Sequence, residues 1–128
     1  MPSQSLPLRV LVIDDNADAA DSLVLLVRLW GHDAHAVFGG NAAIAEAIEY
    51  RPDVVLCDLA MPEMDGYHVA EQLRRHAAHA GTLLVALSAH GDEEHRQRAA
   101  QAGFHVHLVK PVEEKGLRRL LETQAANR

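Results

Sequence analysis

Five short apolar runs punctuate the chain, and each stops at a polar residue. Leu8–Ile13 (LRVLVI) is rich in branched side chains and ends abruptly at Asp14-Asp15-Asn16, the pattern of a buried strand running into a polar loop. From Ala17 to Trp30, the residues Leu23, Leu26, Val27 and Trp30 recur at helical spacing, and Gly31 follows where a helix stop belongs. A weaker strand over Asp33–Val37, the Gly39-Gly40 pair, an Ala-rich helix from about Asn41 to Tyr50 and a break at Pro52 make a second unit. The third unit has a strand over Asp53–Cys57 that stops at Asp58. After it come a turn-rich loop (LAMPEMDG) and a helix from about Tyr67 to Ala78 with Val69 and Leu73 inward.

Thr82–Leu87 reads as the fourth strand and stops at Ser88. The helix over Asp92–Ala102 has an inner face made mostly of alanine, which predicts the shallowest packing of the five helices. Phe104–Val109 reads as a fifth strand ending at Lys110-Pro111, followed by a helix over Glu113–Thr123 with Leu117, Leu120 and Leu121 inward. Strict strand-helix alternation with continuously apolar strands predicts an α/β fold, a doubly wound parallel sheet covered by helices on both faces. No linker or repeat interrupts the pattern. We therefore expect one domain over residues 1–128, with a core at about 8–121, frayed ends and no appended module.

Composition narrows the function. The 128 residues carry a formal net charge of −6 with 48% hydrophobic content, ordinary for a globular domain able to bury a core unaided. A lone cysteine, Cys57, excludes an internal disulfide and points to a reducing, cytoplasmic setting. The first residues lack the basic start and apolar run of a secretory signal, and no apolar stretch reaches membrane-spanning length, so no membrane partner is expected. The acidic balance and absence of a basic block argue against direct nucleic-acid binding.

In an open parallel sheet, ligands bind beyond the carboxyl ends of the strands, near the point where strand order reverses. The residues at those ends are Asp14 and Asp15, Asp58, Ser88 and Lys110. Three carboxylates gathered at one edge repel one another. Lys110 supplies one positive charge, leaving two negative charges for a divalent ion to neutralise. Hard oxygen ligands without His or Cys favour Mg²⁺, which keeps several waters and commonly takes a phosphate oxygen. A carboxylate beside Mg²⁺ and an ammonium can attack phosphorus to give an acyl phosphate.

Asp14-Asp15, the stretch Asp58–Gly66 (DLAMPEMDG), Leu87-Ser88-Ala89 and Lys110-Pro111 together resemble, in order and spacing, the signatures of two-component response-regulator receiver domains. The resemblance spans roughly Leu8 to Leu121. It implies a flavodoxin-like (βα)5 fold with strand order 2-1-3-4-5. It implies that Asp58 accepts a phosphoryl group from a histidine kinase or a histidine phosphotransfer domain. Asp15 is implied as a direct Mg²⁺ ligand, Asp14 as an outer one, and the backbone carbonyl of Ala60 as a further ligand. Ser88 is implied to bond the new phosphoryl oxygen, Lys110 to pair with it, and the Lys110-Pro111 bond to be cis. A downstream protein would then read the face formed by the fourth helix, fifth strand and last helix. The chain would label itself rather than turn over substrate, as a stand-alone regulator, which the Met1 start favours, or as the receiver of a hybrid histidine kinase, which the Ala102–Val112 stretch resembles.

Two departures matter. Where the family usually has an aromatic switch residue, three positions before the lysine, this chain has His107, which can charge near pH 6 to 7. Its inward and outward states are expected to differ in protonation, unless the ring merely covers the sheet edge. The two positions that tune dephosphorylation hold Ala60 and His90; alanine orients no water, so slow dephosphorylation is expected unless His90 contributes.

Other features have plainer readings. Nine histidines invite a transition-metal site, yet the pairs His76/His79 and His105/His107 lack a third ligand and read as solvated surface. Cys57 should point away from Asp58 and pack as a small hydrophobe. The run Asp92-Glu93-Glu94 complements a helix N-terminus, and Asp65-Gly66 reads as a turn. A rival enzyme reading is a haloacid-dehalogenase-type phosphatase, which would want a second Asp where Ala60 stands. A flavin carrier of similar fold would need a phosphate cradle where Asp14-Asp15 would repel one.

Overall fold

The computed structural model describes residues 7–62, 64–76 and 81–127. Ten elements alternate: β1 (Arg9–Ile13), α1 (Ala17–Leu29), β2 (Asp33–Val37), α2 (Gly40–Tyr50), β3 (Val54–Asp58), α3 (Gly66–Arg74), β4 (Leu83–Ser88), α4 (Glu93–Ala102), β5 (Val106–Val109) and α5 (Glu114–Ala126). All pairings are parallel and the sheet order is β2-β1-β3-β4-β5, the doubly wound flavodoxin-like arrangement. The order reverses between β1 and β3, which places the crevice beside Asp14 and Asp58.

Alternation along the strands divides the core in two. Leu11, Ile13, Val55 and Cys57 pack with Val69, Leu73 and Ala99 on the side of α2, α3 and α4. Val10, Val12, Val54 and Leu56 pack with Val24, Val27, Leu117 and Leu121 under α1 and α5. Because both faces are covered, β3 is buried at every position, which explains its unbroken apolar sequence.

Several boundaries differ from the sequence expectations. The inward stripe of α1 is Ala20, Val24 and Val27; Leu23 and Trp30 flank it as partly buried side chains. Crowding at the sheet favours the smaller residues, and the larger ones cover the margin. Helix α3 ends at Arg74, short of Ala78, and residues 77–80, with His79 among them, lie outside the described residues. Helix α5 continues past Thr123 to Ala126 because Ala125 extends the buried Leu117/Leu121 stripe by one turn. Strand β5 begins at Val106 rather than Phe104, whose side chain instead joins the core. Helix α4 buries only Ala99 and Ala102 and has the sparsest inner face of the five, as its composition predicts. Among the described residues, no helix is long and apolar enough to cross a membrane.

Candidate functional site

The carboxyl ends of β1, β3, β4 and β5 meet at one rim of the sheet. Asp58 is the last residue of β3 and Ser88 the last of β4, each held by ladder pairing, rather than the first residue of a loop as the sequence reading had it. Asp14 follows β1, and Lys110 follows β5 with its N–H donating to the Ser88 carbonyl at 2.8 Å. The Lys110-Pro111 bond is cis.

The Lys110 ammonium reaches across this rim, 3.3 Å from Asp58 Oδ1 and 3.5 Å from Asp14 Oδ2. Both carboxylates are buried, with Asp14 1% and Asp58 6% exposed. Donor oxygens of Asp14, Asp15 and Asp58 lie within 4.8 Å of one another. Asp14 Oδ1 accepts from the Asn16 N–H and Asp58 Oδ1 from the Ala60 N–H. Asp14 Oδ2, by contrast, is buried and makes no hydrogen bond among the described residues, with only the Lys110 ammonium 3.5 Å away as a counter-charge. A buried carboxylate oxygen facing two further carboxylates fits a hard, oxygen-seeking cation such as Mg²⁺.

Burial raises the Asp58 carboxyl above the usual aspartate range; the nearby Asp14 charge adds to this, while Lys110 and the Ala60 N–H oppose it. One ammonium shared by two buried carboxylates does not offset the cost of taking the Asp58 carboxylate out of water.

The supporting residues explain how the rim is built. Asp65 caps α3, its side chain accepting from the His68 N–H, which makes Asp65-Gly66 a helix start and not only a turn. At Gly66 an added Cβ would lie 2.5 Å from the Asp58 carbonyl oxygen and 2.9 Å from Leu59 Cα. Only glycine lets α3 start this close to the Asp58 backbone. Cys57 is buried in the cluster opposite the one holding Leu56, and burial pushes its thiol pKa far up.

Ser88 is buried, and its hydroxyl oxygen accepts from the His90 N–H at 3.0 Å. A cleft of about 290 Å³ opens beside it, with Ala60, Ser88, His90 and His95 among its walls. His107 lies at the junction of β5 and α4, near Arg96, with both ring nitrogens buried and lacking hydrogen-bond partners among the described residues. Burial, followed by the charges of Arg96 and His95, holds its imidazole below the usual histidine range. His105 is tied elsewhere: its Nδ1 accepts from the Leu84 N–H at 2.9 Å, so it makes no pair with His107. Sequence spacing missed a different set, His90, Asp92 and His95, whose donors converge within 4.8 Å. A histidine two residues before a capping Asp, with a second three residues after it, was the available signal.

The match to known proteins follows this geometry. Residues 10–122 fit the family model described as the response regulator receiver domain. The DNA-binding response regulator MtrA of Mycobacterium tuberculosis is 35% identical over 109 residues, covering 85% of this chain and 46% of MtrA. The chain thus spans about half the length of the curated relatives it matches. Among solved structures, the receiver domain of a sensor histidine kinase from Pseudomonas aeruginosa PAO1, with a magnesium ion coordinated in its active-site cleft, is 26% identical, with a TM-score of 0.85, covering 94% of this chain and 99% of that one. The chemotaxis protein CheY4 of Vibrio cholerae shares the fold, with a TM-score of 0.87 at 24% identity over 92% of this chain and 98% of that one. These findings lend no support to the phosphatase reading.

Proposed function

This chain belongs to the response-regulator receiver family, and from that premise we propose that Asp58 is its phospho-acceptor, served by Lys110, Ser88 and a Mg²⁺ site. The observation that carries the reading is the Lys110 ammonium within 3.3 Å of Asp58 and 3.5 Å of Asp14, three residues from three separate strand ends. Asp14, Asp15 and Asp58, with the Ala60 carbonyl, would hold the ion, which when bound offsets the charge of the phosphoryl oxygens. The magnesium in the Pseudomonas receiver supports this assignment.

The chain's own residues supply the rest of the chemistry. An Asp58 carboxylate oxygen attacks phosphorus of a phosphohistidine on a histidine kinase or phosphotransfer domain. The P–N bond breaks, the imidazole leaves with the electron pair and takes up a proton, and an aspartyl phosphate remains. Lys110 is placed to pair with a phosphoryl oxygen, and the Ser88 hydroxyl to donate to another once it turns from His90. Phosphorylation exchanges the single charge of the carboxylate for the larger negative charge of an aspartyl phosphate, which the Lys110 ammonium and a bound Mg²⁺ would offset at this rim. An apolar pocket lined by Ala19, Leu23, Pro111 and Val112 beside Asp14 and Lys110 offers a docking surface for the donor.

On this reading residues 1–128 form one receiver domain that acts as a cytoplasmic signalling switch, not a turnover enzyme. Phosphorylation biases Ser88, His107 and the sparsely packed α4, altering the α4-β5-α5 face, where Val109 is exposed. A downstream protein reads that face, whether the chain acts alone or within a hybrid kinase. Intact-mass measurement after treatment with acetyl phosphate and Mg²⁺ tests the assignment. One added phosphoryl group is expected on wild type and none on Asp58→Asn. Equal labelling of both, or catalytic release of phosphate from a small phosphate ester, overturns it.

A further inference from the structure

We propose that His90, Asp92 and His95 form a second metal site, for a divalent transition-metal ion such as Zn²⁺, distinct from the acidic rim. The three residues come from one tight stretch: His90 in the loop after β4, Asp92 at the N-cap of α4 and His95 in its first turn. Their donor atoms lie within 4.8 Å of one another. The imidazoles of His90 and His95 stack with centroids 4.5 Å apart and planes 16° from parallel. Asp92 Oδ1 sits 2.6 Å from His95 Nδ1.

Helix capping does not account for this grouping. The cap uses Asp92 and the His95 backbone N–H; it gives no reason for the His90 ring to lie on the His95 ring, since His90 is exposed and has solvent available. Zn²⁺ binds histidine nitrogen at about 2.0–2.1 Å and carboxylate oxygen at about 2.0–2.2 Å. Tetrahedral ligand atoms therefore stand roughly 3.3 Å apart, a separation that the donors, now within 4.8 Å of one another, reach by rotation of these surface side chains. An ion lies in the plane of each ring that binds it, so the near-parallel stack must open, the exposed His90 side chain swinging about its side-chain torsions to tilt its ring plane toward that of His95. The proton between Asp92 and His95 moves to the far ring nitrogen or to solvent, and water completes the coordination.

The donor set separates the two sites chemically. Two imidazoles and one carboxylate suit Zn²⁺, Ni²⁺ or Cu²⁺, whereas the oxygen-only rim suits Mg²⁺. Glu93 and Glu94 in the first turn of α4 add negative charge beside the cluster, offsetting the positive helix end and Arg98 across the cleft. The site is also one link from the phosphoryl chemistry, because the His90 N–H donates to Ser88 Oγ.

Calorimetric titration of the full chain with Zn²⁺, in millimolar Mg²⁺ to fill the rim, tests the proposal in wild type, His90→Gln, His95→Gln and Asp15→Asn. Wild type and Asp15→Asn are expected to take up one Zn²⁺ alike, and each histidine variant to bind more than about tenfold more weakly, a loss of about 1.4 kcal/mol or more. Histidine NMR signals of His90 and His95 should shift together on loading. Unchanged affinity in both histidine variants overturns the site, as does loss of binding in Asp15→Asn, which would put the zinc in the acidic rim. Acyl-phosphate formation at Asp58 is measured without zinc, so the two assignments stand or fall separately.

Discussion

Asp58, the proposed phospho-acceptor, is buried at a cost to stability. Its carboxyl is raised by burial and by Asp14 despite the Lys110 ammonium 3.3 Å away. The folded state therefore binds a proton more readily than the unfolded chain, and stability falls as pH rises through the interval between the ordinary and the raised value. In a chelating buffer, Asp58→Asn should raise the urea midpoint at pH 7, and the gain should vanish below the ordinary aspartate pKa; a variant less stable at pH 7 would contradict this. His107 has the opposite sign. Its lowered pKa means that the unfolded chain protonates first, so stability is lost as pH falls from about 6.5 through the lowered value. If activation carries the ring outward into water, its pKa must return toward that of a free imidazole. NMR titration should find a higher His107 pKa in the beryllofluoride complex than in the free protein, and equal values would refute the coupling. Ala60 is exposed at the cleft and offers no side-chain group to orient water. Ala60→Asn should shorten the acyl-phosphate lifetime several-fold, read by loss of the phosphorylated mass over time. At this scale Asp14, Asp58, Ser88 and Lys110 were readable, because strand ends are where polar residues interrupt apolar runs.

Elements place these residues through close approaches that periodicity does not reveal. Gly66 looks like an ordinary turn glycine, yet a Cβ added there would stand 2.5 Å from the Asp58 carbonyl oxygen, so its absence is what lets α3 begin where it does. Gly66→Ala should cost about 1–3 kcal/mol in urea denaturation, the range for overpacking a filled site, and should weaken beryllofluoride binding by displacing β3's end. A stability change within error would mean that α3 moves freely. Amphipathic spacing predicted the right number of helices and the burial of Val27 in α1, but placed Leu23, Leu26 and Trp30 beside it where Ala20 and Val24 stand, since both sets match the period. Only the space above the sheet selects between them. The end of α5 went unread for a related reason: Ala125 is a weak apolar signal in sequence, though it is buried in the fold. His90, Asp92 and His95 meet through a turn and a cap, a juxtaposition that neither helical nor strand spacing encodes.

For the whole molecule, strict alternation was enough to predict a parallel sheet, and the strand order came from the family resemblance rather than from any period. Order is what matters for function. With β1 and β3 adjacent and β4 and β5 following, the residues after distant apolar runs share one rim, and α4, anchored inward by Ala99 and Ala102 alone, is the element least held against change. The central claim is that this rim holds a phosphoryl group on Asp58 with Mg²⁺ and Lys110. Beryllofluoride binding followed by two-dimensional NMR, with and without Mg²⁺, in wild type and Asp58→Asn, measures it most directly. Saturable binding that requires both Mg²⁺ and Asp58, with shifts at Ser88 and Lys110 spreading into α4 and β5, is the predicted result. Binding that persists in Asp58→Asn, or without Mg²⁺, would contradict it.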